Sequence, residues 1–223
     1  MADHTPDLVD RLASSEETGL DPALLVPLLK LLANGEPVAV DELAAATGRT
    51  VEEIRKGLAA VPDTEYDADG RIVGQGLTLR ATSHRFSVEG RELYTWCALD
   101  TLIFPSLLDR TASIESTSPA SGEPIRVSVD PSRVISVEPA TAVVSLVNPE
   151  DMTSVRSSFC NQVYYFTSAD DAQPWLEDHR GATLLPVADA YRLGVALTTS
   201  VVEQLQTDMV IGTAESRGTG CCR

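Results

Sequence analysis

Residues 21–79 read DPALLVPLLKLLANGEPVAVDELAAATGRTVEEIRKGLAAVPDTEYDADGRIVGQGLTL, and their punctuation sets the fold of the first part of the chain. Asp21 suits an N-cap, Pro22 the first helical position, and Leu24, Leu25, Leu28, Leu29 and Leu32 mark one helical face. Asn34-Gly35 ends that helix. Asp41 is positioned to cap a short helix through Ala46, and Gly48 turns the chain. Thr50 and Glu53 have capping-box spacing for a third helix through Ala60. Glu65-Tyr66, the turn Asp69-Gly70 and Ile72 to Leu79 then read as a hairpin. Three helices followed by a hairpin is the pattern of a winged helix.

That pattern often binds DNA, so its charge matters. Residues 21–80 carry ten acidic and six basic side chains, a net of −4, and the third helix sets Glu52 and Glu53 beside Arg55 and Lys56. The whole chain of 223 residues has a formal charge of −16. Binding to phosphates requires the opposite sign, so no nucleic-acid partner is expected; a structural or lid role fits this region better. The same field disfavours an anionic membrane surface. No apolar run approaches the eighteen residues of a spanning helix, and the first twenty residues lack a signal-peptide pattern. A cytoplasmic location is expected.

Outward from this segment, residues 1–20 are polar without a clear period and are expected to form a flexible arm or a frayed helix. A boundary near residue 80 separates the winged-helix-like region (21–80) from an α/β core (81–211), with a Gly- and Ser-containing flexible tail over 212–223. In the core, 84–88 reads as a strand, and Leu93 to Leu108 as an apolar helix broken or kinked at Pro105. Ile125 to Val129 and Val134 to Val137 read as strands, and Ala142 to Val147 as a strand buried on both faces. Phe159 to Thr167 reads as a further strand, Ala169 to His179 as a helix, Leu184 to Val187 as ambiguous, and Ala188 to Gln206 as the last helix. The class is α+β: a helical, winged-helix-like N-terminal region packed on a mixed core with antiparallel strands.

Four cysteines lie at 97, 160, 221 and 222, with no CxxC pair, so neither a disulfide framework nor a structural zinc site is indicated. Cys97 and Asp100 are three apart and would share one helical face. A carboxylate in that apolar run either carries a raised pKa and can hold a proton, or faces water or caps a helix. Cys97 and Cys160 read equally as small core residues.

The segment LYTWCALDTLIFPSLLDR, residues 93–110, closely resembles the signature of alkylmercury (organomercurial) lyases. Supporting matches follow in order: LLVPLL within Asp21 to Leu29, TEYD at 64–67, GLTLR at 76–80, VEPA at 137–140 and VRSSFC at 155–160. The resemblance implies that Cys97 and Cys160 bind mercury and that Asp100 handles the proton. It implies cleavage of the carbon–mercury bond of an organomercurial to R–H and Hg(II). Mercury(II) is soft and prefers thiolates, and two thiolates donating to one mercury make the attached carbon basic enough to protonate. No organic cofactor is called for, and no glycine-rich phosphate loop follows a strand. External small thiols are expected to remove the product, and a mercuric reductase is a candidate recipient.

Two departures from that family stand out. Many relatives carry another cysteine where this chain has Ser118, and a serine oxygen is too hard to replace it as a mercury ligand. The chain also ends Gly-Thr-Gly-Cys221-Cys222-Arg, a thiol pair that either relays Hg(II) onward or is incidental. Two rival functions use the same atoms: a redox enzyme with Cys97 and Cys160 as attacking and resolving thiols, and a mercury-responsive regulator built on the winged-helix-like segment.

Overall fold

The computed structural model describes residues 5–200. Five helices come first: α1 (Thr5–Ala13), α2 (Ser15–Thr18), α3 (Pro22–Leu32), α4 (Val40–Thr47) and α5 (Val51–Ala59). Asp21 caps α3 by accepting the Ala23 N–H at 2.9 Å, and Thr50 and Glu53 form the expected capping box on α5. The N-cap of α4 is Ala39, not Asp41, whose carboxylate only accepts from the adjacent Glu42 N–H. Two correct caps and one misplaced by two residues leave the three-helix order intact.

The flexible arm or frayed helix expected over residues 1–20 is instead two docked helices from Thr5 onward. Leu8, Val9 and Ala13 are buried, and Leu12 packs against the core. These apolar positions, spaced one and three to four apart, carry a helical stripe hidden among acidic residues. Arg11 fastens α1 to the loop at 148–150, donating to Asn148 Oδ1 (2.7 Å), to the Pro149 carbonyl (2.6 Å) and to the Glu150 carbonyl (3.1 Å).

The hairpin forms as β1 (Glu65–Tyr66) and β2 (Ile72–Gln75), but the run to Leu79 is not one strand. Gly76, at φ +79°, turns the chain between β2 and β3 (Leu77–Thr78). β3 then pairs with β5 (Arg91–Thr95), which pairs with β4 (His84–Val88). β6 (Ala112–Thr117), β7 (Pro124–Asp130) and β8 (Arg133–Glu138) complete an antiparallel sheet of eight strands in the order β1-β2-β3-β5-β4-β6-β7-β8. The sheet runs unbroken through residue 80, so the wing of the helical region is also the edge of the core sheet.

A second sheet holds β9 (Val143–Leu146) at its centre between β10 (Tyr165–Phe166) and β11 (Thr183–Pro186). β9 is buried at every position, as its continuous apolar run predicts. Residues 93–108 are not a single helix: Leu93 and Thr95 point inward from β5, Trp96 turns the chain, and α6 (Ala98–Leu108) begins after Cys97 and runs through Pro105. Phe159 to Thr167 is not a long strand either. Phe159 is the C-cap of α7 (Val155–Ser158), and a 3₁₀ turn (Cys160–Gln162) and the short β10 follow. α8 (Gln173–Asp178) and α9 (residues 187–200) close the described chain, and Cys221, Cys222 and the tail lie outside it. No helix among the described residues is long and apolar enough to cross a membrane.

α6 is the central element. It is buried along nearly its whole length, packed against α3 and against β4, β5, β6 and β7. A helix apolar on all sides suits a position between two layers. Gly76 fits this packing closely: its carbonyl accepts the Trp96 N–H at 2.8 Å, and a Cβ there would lie 2.8 Å from the Phe104 ring. Gly76→Ala should therefore lower the unfolding free energy by about 2–3 kcal/mol, combining a left-handed backbone with overpacking. A wild-type midpoint in urea unfolding would show instead that α6 shifts freely.

Candidate active site

Cys97 is the N-cap of α6 and Asp100 is its third residue. The Cys97 N–H donates to Asp100 Oδ2 at 3.1 Å, and the Asp100 backbone N–H faces the Cys97 sulfur, the reciprocal arrangement of a capping box. Cys97 is held on both sides as well. Its carbonyl accepts from Thr95 Oγ1 at 2.8 Å, and the next N–H, that of Ala98, donates to the Val163 carbonyl at 3.0 Å. That last bond ties the start of α6 to the turn bearing Cys160.

Cys160 opens the 3₁₀ turn, whose Val163 N–H closes on the Cys160 carbonyl at 3.1 Å. The helix before it, α7, is capped from far away in sequence. Asp63 accepts the Arg156 N–H at 3.1 Å and the Ser154 hydroxyl at 2.9 Å. With both segments pinned, ligand atoms of Cys97, Asp100 and Cys160 all lie within 4.8 Å of one another. Both cysteines are buried free thiols and Asp100 is part-buried.

Arg156 borders this cluster. Its guanidinium pairs with the buried Glu65 carboxylate and lies 4.9 Å from the centre of the Trp96 ring. Glu65 is fixed in turn at its other oxygen by Thr78 Oγ1, at 2.5 Å.

Burial raises the Asp100 pKa to about 6, against the lowering pull of its hydrogen bonds with Cys97 and of the Arg156 charge. Burial likewise pushes the Cys97 thiol well above its ordinary range, helped by the hydrogen bond with Cys160 and by the Asp100 charge. At Cys160 the hydrogen bond with Cys97 pulls downward, but burial and the charges of Asp100 and Asp63 prevail and raise it. A helix N-terminus favours a thiolate; here desolvation outweighs it. The resting site thus holds two thiols and, near neutrality, a carboxylate poised to take a proton.

An apolar cavity of about 90 Å³ opens on Asp100 and Cys160. Its walls include Leu99, Ile103 and Phe104 of α6, Leu25 of α3, and Phe159 beside Cys160. Leu12 and Ala13 of α1 and Leu197 and Thr198 of α9 complete it. The site suits a small apolar group attached to something soft enough to sit between two sulfurs.

Comparison with known proteins agrees. The alkylmercury lyase family profile matches residues 77–199, and the profile for the helix-turn-helix domain of alkylmercury lyase matches residues 3–76. The chain belongs to the alkylmercury lyase family. An alkylmercury lyase of Streptomyces lividans is 56% identical over 181 residues, covering 81% of this chain and 84% of the relative. One of Bacillus cereus is 51% identical over 180 residues, covering 81% and 83%. One of Pseudomonas putida is 43% identical over 197 residues, covering 86% and 93%. The crystal structure of the mercury-bound form of MerB2 superposes with a TM-score of 0.72, covering 89% of this chain and 98% of that one; at 24% identity it speaks to the α+β fold. The protein is thus an enzyme of the alkylmercury lyase class, acting on organomercurials.

Of the residues singled out from sequence in this alkylmercury lyase, Cys97, Asp100 and Cys160 converge, whereas Cys221 and Cys222 lie outside the described residues. Ser118 is elsewhere: buried, it donates to Asp171 Oδ2 at 2.7 Å and accepts from the Ala120 N–H, pinning a turn. Arg156, Glu65, Asp63 and the α1 contribution to the cavity escaped the sequence reading. Glu65 and Arg156 do lie in the matched stretches TEYD and VRSSFC, which was the signal that could have found them.

A carboxyl whose folded pKa exceeds its unfolded value loses stabilisation as pH rises from the unfolded pKa through the folded one. Above pH 6 the Asp100 charge therefore weakens the fold. Asp100→Asn keeps an acceptor for the Cys97 N–H, and at pH 8 it should stabilise the protein by about 1–2 kcal/mol. Thermal unfolding at pH 8 and pH 4.5 checks this: the gain should shrink at the lower pH, and a variant less stable at pH 8 refutes it.

Proposed function

We propose that this enzyme cleaves the carbon–mercury bond by protonating carbon, with Cys97 and Cys160 as the mercury ligands and Asp100 as the proton carrier. The observation behind this is the meeting of two thiols and a part-buried carboxylate within 4.8 Å beside an apolar cavity. The organic group occupies the cavity. One cysteine displaces the ligand X of R–Hg–X, and its proton leaves with X. The second coordinates and gives its proton to Asp100, because a thiol loses its proton on binding a soft metal. Asp100 then protonates the carbon, the electron pair of the C–Hg bond goes to the new C–H bond, and R–H departs. Two cysteine thiols and R–Hg–X thus yield R–H, HX and Hg(II) held by two thiolates. Two molecules of a small external thiol remove the metal and restore both protons, without an organic cofactor.

The raised thiols favour this over the redox reading. An efficient attacking thiol has a pKa near ambient pH, whereas burial raises both thiols here. A soft metal overcomes that barrier by binding the thiolate. The absence of net positive charge on α5, where Glu52 and Glu53 offset Arg55 and Lys56, and the use of Asp63 and Glu65 inside the molecule favour a structural role for the helix-turn-helix region over nucleic-acid binding. Dependence on reduced thiols suits the cytoplasm.

Benzene release from phenylmercury in excess small thiol tests the mechanism. Wild type should turn over, with kcat/KM falling below about pH 6 as Asp100 becomes protonated before substrate arrives. Cys97→Ser, Cys160→Ser and Asp100→Asn should each lose at least about 100-fold, with Asp100→Asn still binding mercury. Near-normal turnover by Asp100→Asn would reject the proton-carrier role.

We also propose that Cys221 and Cys222 take Hg(II) from the site and pass it on, to a mercuric reductase among other thiol acceptors. α9 contributes Leu197 and Thr198 to the cavity wall, so the chain leading to this pair continues from the site itself. A tethered pair of thiols acts at high effective concentration. Removing residues 218–223 should slow Hg(II) transfer to a limiting external thiol by about tenfold; an unchanged rate rejects the relay.

A further inference from the structure

We infer that Arg156 is a positioning residue for the mercury-binding pair: anchored by Glu65 and Asp63, it joins the segments carrying Cys97 and Cys160 and sets the separation of their thiols. The inference rests on the reading that both thiols hold the metal together.

The two cysteines come from segments distant in sequence, tied on the backbone by the Ala98 N–H to Val163 carbonyl bond. Cys97 follows Trp96 at the end of β5, and Cys160 follows α7 by two residues. Arg156 belongs to α7, and its guanidinium lies over the Trp96 ring at 4.9 Å. It therefore touches the residue next to one thiol while standing four positions before the other. Its charge reaches both Asp100 and Cys160.

The arginine is held at both ends. Its backbone N–H donates to Asp63 Oδ2 at 3.1 Å, and its guanidinium pairs with Glu65. Glu65 has little freedom to swing. Its second oxygen accepts from Thr78 Oγ1 at 2.5 Å, and Gly74 makes room for it, since a Cβ there would lie 2.6 Å from Glu65 Oε2. The anchor is rigid sheet, and the anchored group is the short helix leading into the Cys160 turn.

An ion pair with one partner this buried is a weak way to gain stability, because desolvation cancels much of the attraction and apolar residues would serve as well. A planar guanidinium does what neither an apolar residue nor lysine does: it stacks on an indole while directing in-plane N–H groups at a carboxylate. One soft cation bound by two sulfurs fixes their separation narrowly, and losing an outer partner that orients metal ligands costs about 10–100-fold in affinity. The geometry thus gives the Glu65–Arg156–Trp96 stack a job beside the thiols that packing alone would not require.

The test measures Hg(II) affinity by competition with dithiothreitol in a full-length chain carrying Cys221→Ser and Cys222→Ser, which leaves Cys97 and Cys160 as its two thiols, and in the same chain with Cys160→Ser as the single-thiol protein; thermal unfolding confirms folding. Arg156→Met should weaken Hg(II) binding by about tenfold or more in the two-thiol protein and leave the single-thiol protein unchanged. Arg156→Lys should recover only part of the loss. Glu65→Gln, which keeps the guanidinium but loosens its anchor, should show a smaller loss of the same kind, and these two variants carry the test if Arg156→Met does not fold. Wild-type affinity in folded Arg156 variants, or an equal loss with and without Cys160, overturns the positioning role. A two-thiol protein that holds Hg(II) no more tightly than the single-thiol protein would overturn the two-thiol reading, and this inference with it.

Discussion

The first turn of α6 sets the terms for everything around it. A helix start leaves backbone N–H groups that need partners, and serine, threonine or aspartate usually supplies them. Here the cap is a thiol, a weak acceptor, and the carboxylate three residues on answers it by taking the Cys97 N–H. The atoms that finish the helix are those that meet Cys160 in the candidate site. Because Cys97 is fully buried, its N–H has no water to turn to instead. The local geometry of thiol and carboxylate is consequently fixed by folding, before any substrate arrives.

The second thiol is placed by tertiary structure alone. Asp63 caps a helix some ninety residues later, Glu65 holds its arginine, and both belong to the region joining the helix-turn-helix unit to its wing. In a nucleic-acid-binding protein such a wing would face a groove. Here β3 carries it into the main sheet, and its Glu65 faces the protein's own interior while Asp69 at the turn stays exposed. A fold often used for reading nucleic acid serves as one wall of a reaction site.

Local rules read the N-terminal helices well because their caps are contiguous in sequence: Asp21 with Ala23, and Thr50 with Glu53. They failed where a neighbour is distant. β6 went unseen because its inward positions are Ala112, Ile114 and Ser116, a poor contrast with its outward face. α7 has no side-chain cap of its own, so the stretch around Cys160 passed for a strand. The apolar run from Leu93 fused a strand and a helix because nothing polar marks the turn at Trp96. Cys97, Asp100 and Cys160 were picked out through family resemblance, and spacing alone left each with a bland reading. Asp100 satisfies both of its readings, as helix cap and as a carboxyl with a raised pKa.

The cavity is built from both ends of the described chain: Leu12 and Ala13 near its start, Leu197 and Thr198 near its finish. A protein made from its N-terminus can form the sheet and even assemble the cysteine cluster while its later helix is still inside the ribosome. Until α9 docks, the cavity beside that cluster lacks a wall. The pocket is therefore enclosed only when the first and last described helices are both in place, and loosening either one would open the reactive centre without disturbing the sheet that carries it.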